Sequence, residues 1–577
     1  SIIKRREIVN QLNVCQIVDS IVDMVCVSEI EEEFSQFGIE VDSNVLERFN
    51  EFCISHGRDA ESIVEIWMSY SIRKLDGDSP SIDNLEGFEK EELSRLKNRK
   101  DSSQVRNKEL KVYNPSCSDG SFGDVIIDAY GEPSANFKRD HLPAVSGLSP
   151  SVYSSEVVTP SQKYNERSNA AVVLYSFGSL PDSEAREFCN PTINIHSSLY
   201  VPVIEKYTHM FERLRDKLDI CNELSLQMEF EKTEIYSYRE NSEGKSLWIG
   251  RIVSEAQEKL NRSTVMLESP VDGKCSLLDL RALDTFSLFP GQTVVVLADG
   301  IPGQSLRPSK ISLGVMPDMD TSVNFEGDLE IFVAAGPYTL SSNLLYEPLT
   351  DLLKYVRDRQ PAVCVLVGPF LDSRHQAIVN CQLAETFGSL FEKQMDAIVE
   401  VAQQVKTEFL IVPSFLDVHH EMVYPTPPFT GLKHPVKNIT MLPDPSIVSI
   451  SGVILAVTSV DVLFHLKREE LVCNPKEDVF TRLSRHLLLQ RQFYPLRPPG
   501  EGLPINYEKF STGAILDVKP HILVLPSNFK HFVKDIDGCL VVNPERAAKG
   551  QAGGTYGRLK VRATQKNLSV IADIIKV

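Results

Sequence analysis

Asp417, His419 and His420 fall in one short segment, and Asp372 and His375 fall in an earlier one. Carboxylates and imidazoles are the groups that hold divalent cations, and two such cations about 3.5–4 Å apart drive phosphoester hydrolysis. The first chemistry to weigh is therefore a Mn- or Mg-dependent phosphodiesterase or exonuclease using Asp372, Asp417, His419 and His420. The neighbouring loop residues argue against it. Gly336-Pro337-Tyr338-Thr339, Gly368-Pro369-Phe370-Leu371-Asp372, Pro413-Ser414-Phe415-Leu416-Asp417 and Pro526-Ser527-Asn528 each follow an apolar run. Most of these positions carry Gly, Pro, Ser, Tyr or Phe, which supply no side-chain ligand. Consecutive histidines of an extended segment also point to opposite faces. The scaffold of a metal site is present without its ligands, and the expected role of the Asp and His residues is to fix loops by hydrogen bonds. His465 reads as a helix-surface or satisfied core histidine. No G-x-S-x-G elbow occurs, and no cysteine stands beside a histidine in a recognisable motif. Gly300–Gly303 and Gly550–Gly557 lack the P-loop pattern and read as turns.

The elements that must carry these loops alternate strand and helix. Leu329–Ala335, Ala362–Val367, Phe409–Val412, Ile450–Leu455 and His521–Leu525 are expected strands. Ala362–Val367 is continuously apolar, as in a sheet covered on both faces. Leu349, Leu352, Leu353 and Val356 mark one helix face, and Phe387, Leu390, Phe391, Met395 and Ile398 mark another. That order is α/β, with function expected beyond the strand ends. Upstream, Ser246–Val253, Ser263–Glu268 and Gln292–Ala298 are short β-rich runs bounded by turn residues, which suits a small barrel such as an OB-fold. Such a barrel binds single strands by stacking bases on aromatics over a basic groove. Here the aromatics are sparse (Trp248, Phe286 and Phe289) and lack a surrounding basic cluster, so protein contact is the expected use.

The first 75 residues read as a helical bundle. Ile63, Ile66, Trp67 and Tyr70 lie on one helix face with Asp59 as N-cap. The preceding helix starts at Asn44, with Glu47 as a capping-box partner, and buries Leu46, Phe49 and Cys53. From 76 to 168 the periodicity dissolves into Ser, Pro, Gly and Asn, the composition of a linker. Ser149-Pro150 and Thr159-Pro160 in that stretch are minimal sites for proline-directed kinases, and coincidence explains them equally well.

At 577 residues the chain exceeds one growing core, so several domains are expected. It carries 60 basic and 79 acidic residues, a net charge of -19, which makes it a poor non-specific ligand for phosphate backbones. Eleven cysteines without a C-x-x-C pair argue against a zinc ribbon and a disulfide framework and point to buried thiols in a reducing, intracellular compartment. The most apolar stretch, Ser446–Val460, is interrupted by Ser, Gly and Thr and falls short of the roughly 20 residues a bilayer requires.

Several strings carry a specific resemblance: Phe370-Leu371-Asp372, Val412-Pro413-Ser414, and Asp417-Val418-His419-His420-Glu421 followed by Val423-Tyr424-Pro425 and Pro427-Pro428-Phe429. To these are added Thr159-Pro160-Ser161-Gln162-Lys163-Tyr164-Asn165, Ser287-Leu288-Phe289-Pro290-Gly291-Gln292, Phe532-Val533-Lys534-Asp535, Val542-Asn543-Pro544, and Lys549-Gly550-Gln551 before Gly553-Gly554-Thr555. Together they resemble the B subunits of DNA polymerase alpha, strongly over about 159–562 and loosely over the helical N-terminus, while residues 1–28 carry no likeness. The resemblance implies a multidomain α+β chain without cofactor: an N-terminal helical docking domain (1–75), a flexible linker (76–168), an OB-fold (169–325) and a calcineurin-like phosphodiesterase domain (326–577) that has lost its metal ligands. It further implies a non-catalytic nuclear subunit, with DNA reached mainly through the complex. Barrel and phosphodiesterase domains would cradle the zinc-bearing C-terminal domain of the catalytic subunit, alongside the two primase subunits, in making RNA–DNA primers. The N-terminal domain would dock other replication proteins, and the linker would be phosphorylated, with Ser149 and Thr159 as candidates. Gly336, Pro337, Gly368, Pro369, Asp372, Pro413, Ser414, Asp417, His419, His420 and Ser527 would mark the degenerate loops.

Overall fold

The computed structural model describes residues 27–74, 80–93, 160–179, 189–195 and 246–577, apart from 40, 57, 255–258, 270–272, 302, 315, 320–322, 324, 326, 432, 434, 501 and 564–567. Ser149, Thr159 and nearly all of residues 1–28 lie outside the described residues. The described residues begin with three helices: α1 over residues 27–36, α2 at Ser43–His56 and α3 at Ala60–Lys74. Their core is aromatic. Phe34 meets the Phe49 ring edge-on at 4.9 Å, and Phe49 meets Trp67 at 5.6 Å, all three fully buried. Leu46, Phe49 and Cys53 are inside as their spacing requires, although α2 begins one residue before Asn44. A further helix, α4 (Ile82–Phe88), runs into a π-turn at Glu89–Leu93, so the stretch expected as pure linker holds local structure.

The other end of that stretch is also built in. Helix α5 (Gln162–Asn165) is capped by the Ser161 hydroxyl, which accepts from the Tyr164 amide. Tyr164 is buried, its hydroxyl 3.0 Å from an Asp351 oxygen. Strands β1 (Val173–Phe177) and β2 (Ile193–Ile195) then join the C-terminal sheets. The segment expected to begin the barrel at 169 is therefore shared, because these two strands pair with residues 572–575 and 448–450 instead.

The barrel itself is closed in the order β3-β4-β5-β8-β7, with β3 at Ser246–Ser254, β4 at Val265–Glu268, β5 at Cys275–Leu278, β7 at Thr293–Ile301 and β8 at Ser305–Ser312. Between β5 and β7, the short β6 (Phe286–Leu288) leaves the barrel to pair elsewhere. Ile252, Val265, Leu278, Val294, Val296 and Leu306 alternate inward along these strands and fill the interior.

The C-terminal part is two sheets face to face. In chain order its elements are β9 (Asp328–Ala335), α6 (Glu347–Arg359), β10 (Val363–Val367), α7 (Phe387–Ala402), β11 (Glu408–Val412), β12 (Ile439–Met441), β13 (Ser446–Ile450), β14 (Val453–Val457), α8 (Val462–Glu469), β15 (Leu471–Cys473), α9 (Val479–Gln490), β16 (Ile522–Val524), β17 (Phe532–Ile536), β18 (Cys539–Asn543), β19 (Thr555–Ala563) and β20 (Leu568–Lys576). One sheet runs β1-β20-β19-β9-β10-β11-β12 and the other β17-β18-β16-β14-β13-β2. Period two decides the layers. Ile331, Val333, Val363, Val365, Leu410 and Val412 face the second sheet, meeting Leu455, Val457, Ile522 and Val542. Phe332, Cys364, Leu366, Phe409 and Ile411 face outward onto α6 and α7 through Leu352, Val356, Leu390 and Ile398. Burying each such aliphatic side chain contributes about 1.5–3 kcal/mol, which is why the strands at the centre are apolar on both faces. The single strand expected at 450–455 is instead a hairpin, β13–β14, turning at Ser451 (φ 51°) and Gly452 (φ 89°). Two positive φ values suit the right-handed twist of a two-residue connection.

Candidate functional site

The loops after β9, β10 and β11 come together because those strands are parallel and in register, Val363 opposite both Ile331 and Glu408. The glycines before Pro337 and Pro369 are in tight contact with neighbouring loops. A Cβ on Gly336 would lie 1.9 Å from the Pro369 oxygen, and one on Gly368 would lie 2.7 Å from an Asp417 carboxylate oxygen. Only glycine fits at either position. Tyr338 lies beneath, stacked on Phe370 at 5.0 Å, with its hydroxyl 2.9 Å from the carbonyl oxygens of Ala334 and Val367. Pro337, Pro369 and Pro413 thus belong to a closed set of loops packed on one another.

Asp417 is fully buried and serves as their common acceptor. Its Oδ1 accepts from the amides of Phe370 (2.6 Å) and Leu371 (2.9 Å), and its Oδ2 from that of Ser414 (2.9 Å). Burial pushes its pKa up to about 7 against the pull of those three N–H groups. Asp372 pairs with Arg374 through both oxygens, at 3.0 and 3.1 Å. Burial raises its pKa, but the Arg374 charge and hydrogen bonds outweigh that and hold it below the usual carboxylate value. The expected loop-fixing role describes both carboxylates.

Of the histidines, His420 and His375 fix loops by hydrogen bonds as expected and His419 does not. His420 Nε2 donates to the Pro427 carbonyl at 2.8 Å, and His375 Nε2 to that of Leu340 at 3.0 Å. The His419 ring stacks on Phe391 with centroids 3.7 Å apart and on Phe429 at 5.2 Å, and neither of its buried nitrogens has a polar partner. Burial, with His420 adding to it, lowers its pKa to about 4, so it packs as a neutral aromatic. These rings line a cavity of about 240 Å³ that includes Glu392, Asp396 and Lys433. His465 Nδ1 lies 2.9 Å from the Tyr494 hydroxyl, a satisfied histidine as its sequence context indicates.

On the facing sheet, Ser527 Oγ donates to Asp461 Oδ1 at 2.6 Å, and Asp461 Oδ2 accepts from the Asn528 amide at 2.8 Å. Between the two loop sets sits Arg546. Its guanidinium reaches the Gly336 carbonyl (3.4 Å), Asn528 Oδ1 (3.4 Å), the Pro526 carbonyl (3.5 Å) and Asp461 Oδ2 (3.9 Å), and its side chain is 10% exposed. Arg546 and Asp461 are the residues that sequence reasoning missed. Asp461 was legible as the first carboxylate beyond an apolar run, the same signal that marked Asp372 and Asp417. Arg546 follows β18, a strand that no periodicity announced. Among the described residues no group of three or more His, Cys, Asp or Glu is placed to hold a metal ion.

A second polar constellation joins barrel to sandwich. Glu470 takes Arg482 in a two-pronged pair at 2.7 and 2.8 Å, and Ser287 Oγ donates to Glu470 Oε1. His486 Nε2 lies 2.6 Å from Ser287 Oγ, and Gln292 Nε2 lies 3.4 Å from His486 Nδ1. Ser287 and Gln292 belong to the barrel side, where β6 pairs with β15. The Gln490 amide seals the same seam, bonding Thr293 and the Leu313 carbonyl. Trp248 and Phe286 are 9% exposed and Phe289 fully buried, so none offers a face to a nucleic-acid base.

These features define a class: a closed five-stranded barrel locked through buried charge to a double sheet whose strand-end loops are tied off by their own hydrogen bonds. Sequence comparison is specific about which members of that class it resembles. The family described as the B subunit of DNA polymerases alpha and epsilon matches residues 331–534. The N-terminal domain of the DNA polymerase alpha B subunit matches 28–95, and the OB domain of the same B subunit matches 212–314. The DNA polymerase alpha B subunit of Mus musculus is 31% identical, covering 96% of this chain and 100% of its own length. That of Drosophila melanogaster is 32% identical over 92% and 96%, and that of Schizosaccharomyces pombe 30% identical over 54% and 59%. The chain belongs to the family of DNA polymerase alpha B subunits, accessory subunits of a replicative polymerase.

Proposed function

We propose that this chain is a non-catalytic scaffold of the polymerase alpha–primase complex. It holds the zinc-bearing C-terminal domain of the catalytic subunit on its barrel and sandwich, and links that subunit to primase and other replication factors in the nucleus. The observation that carries the non-catalytic part is Arg546. A guanidinium with Asp461, Gly336 and Asn528 around it occupies the centre of the strand-end loops, where a calcineurin-like phosphodiesterase would hold two dications. A fixed positive charge there repels a divalent ion, and Asp417 is turned to backbone amides instead. On this reading Gly336, Pro337, Gly368, Pro369, Asp372, Pro413, Ser414, Asp417, His419, His420 and Ser527 are structural remnants of a metal site, not a working one. Support for the scaffold comes from the family match along almost the whole chain and from the seam in which Ser287, Gln292 and Thr293 of the barrel side bond Glu470, His486 and Gln490 of the sandwich.

Light scattering of this chain mixed with the C-terminal domain of a polymerase alpha catalytic subunit tests the reading. A 1:1 complex that persists on dilution to nanomolar concentration is expected, with no phosphodiester hydrolysis in Mn or Mg. Two separate species, or metal-dependent cleavage abolished by Asp372→Asn, would reject it.

A further inference from the structure

The N-terminal bundle is seated on the sandwich by a contact that its own core does not need. Ile30, Phe34, Val45, Leu46, Phe49, Ile63, Val64 and Trp67 are buried among α1, α2 and α3. Phe37, just past α1, plugs instead into the sandwich. It is 3% exposed, lies 4.9 Å from the Phe529 ring and 6.3 Å from Phe464 on α8, and those two rings are 6.1 Å apart. Around this plug the contacts are polar. The Lys530 amide donates to the Gln36 carbonyl at 2.9 Å, and Lys549 Nζ to the Phe37 carbonyl at 3.2 Å.

Charge completes the seat. Lys467, also on α8, puts its ammonium 2.7 Å from Glu61 Oε1 and 3.6 Å from Glu33 Oε1, while Lys259 of the barrel approaches Glu61 at 4.0 Å. The module's edge is acidic, with Glu29, Glu31, Glu32 and Glu33 on α1, and the seat contributes Lys467, Lys530 and Lys549. Phe37 and the rings it meets, Phe464 and Phe529, are hundreds of residues apart in sequence, so adjacency along the chain does not bring them together. The contacts themselves select this position. The charged part of the seat, an ammonium beside two carboxylates, keeps some solvent exposure and is open to screening by salt.

We infer that this is a reversible closure, in which residues 28–74 occupy a docking seat on their own chain and withhold the Phe37 edge from other proteins until released. The occupant is the N-terminal module, its aromatic plug and acidic clasp matching an aromatic and basic seat. Release leaves the bundle's aromatic core intact, since Phe34, Phe49 and Trp67 pack on one another and Phe37 is given to the sandwich. The inference stands on these contacts and does not depend on which complex the chain joins.

Hydrogen exchange on the intact chain tests it, because cleavage would remove the high local concentration that a tether supplies. Lys467→Glu sets three carboxylates against each other, and it is expected to speed exchange at the Lys530 amide, which bonds across the seat, by at least tenfold while amides inside α1 stay protected. Phe37→Ser should do the same without changing charge. The pair Lys467→Glu with Glu33→Lys restores one cation between two anions, leaves Lys259 facing Glu61, and should recover protection. Exchange in 363–367, at the centre of the sandwich, reports whether a variant has merely unfolded, and Phe37→Ser decides the matter if Lys467→Glu does so. Protection unchanged in Lys467→Glu and Phe37→Ser would overturn the closure. Opening by Lys467→Glu that the second exchange of charge fails to reverse would overturn the clasp.

Discussion

Two buried carboxyl groups in this chain face opposite fates as pH changes, and their surroundings decide which. Asp444 is fully buried, and its oxygens accept from Ser459, the amide at 2.9 Å and the hydroxyl at 2.5 Å. Burial pushes its pKa up to about 7, so the folded state holds a proton that the unfolded chain releases near 3.8. The folded chain therefore binds the extra proton between those values, and stability falls as pH rises from about 4 to 7. The full effect is of the order of 4 kcal/mol at most. Glu470 has the reverse arrangement. Burial raises its pKa, but Arg482 and His486 outweigh that and bring it to about 2, so its contribution is complete above about 4.5 and lost as pH falls toward 2. Asp444→Asn keeps an acceptor for the Ser459 amide and removes the titration. Urea midpoints measured from pH 5 to 8 should decline in the parent chain and decline distinctly less in this variant. Equal slopes would show that Asp444 is ionised throughout.

At the scale of elements, the seam of β6, β15 and α9 matters more than any one loop. Glu470 and Arg482 have side chains 2% and 10% exposed, so removing one partner strands a charge in a dry site. Glu470→Leu alone should cost about 3–5 kcal/mol, whereas Glu470→Leu with Arg482→Met should cost much less, since no charge is left unpaired. Chemical denaturation of the full chain measures both, and a double variant as unstable as the single one would assign the loss to packing. Little of this seam was legible beforehand. Periodicity located β9, β10 and β11 and the helix faces of α6 and α7, because continuous apolar runs and i, i+3, i+4 spacing report burial directly. It merged β13 and β14 into one strand, since Ser451 and Gly452 interrupt an otherwise apolar run without a strong turn signal. It assigned β1 and β2 to the barrel region because pairing partners hundreds of residues away leave no local mark. The strand-end loops were identified by what they lack. Arg546, which fills their centre, was not, since a lone arginine has no periodicity and its role comes from several distant chain segments converging.

For the molecule as a whole, the balance of 79 acidic and 60 basic residues sets what it can bind unaided. A protein gains affinity for a phosphate backbone by releasing condensed counterions, one for each phosphate it neutralises. With a net charge of -19 the long-range field is repulsive, and only a local basic surface could overcome it. Among the described residues of the barrel, Trp248, Phe286 and Phe289 lie inside, so these rings cannot compensate by stacking. Fluorescence anisotropy with a labelled 20-mer, single- or double-stranded, should therefore show no saturable binding by this chain below about 10 μM at 150 mM salt. Lowering the salt to 50 mM should change little, because the repulsion that salt screens is then stronger. Submicromolar binding with a steep salt slope would instead reveal a basic strip acting alone, and would move the barrel from scaffold to nucleic-acid contact. Absence of binding has a functional sense of its own. On the proposed scaffold role, an accessory chain that DNA weakly repels would not compete with its catalytic partners for the primer end and would be held at the template through protein surfaces.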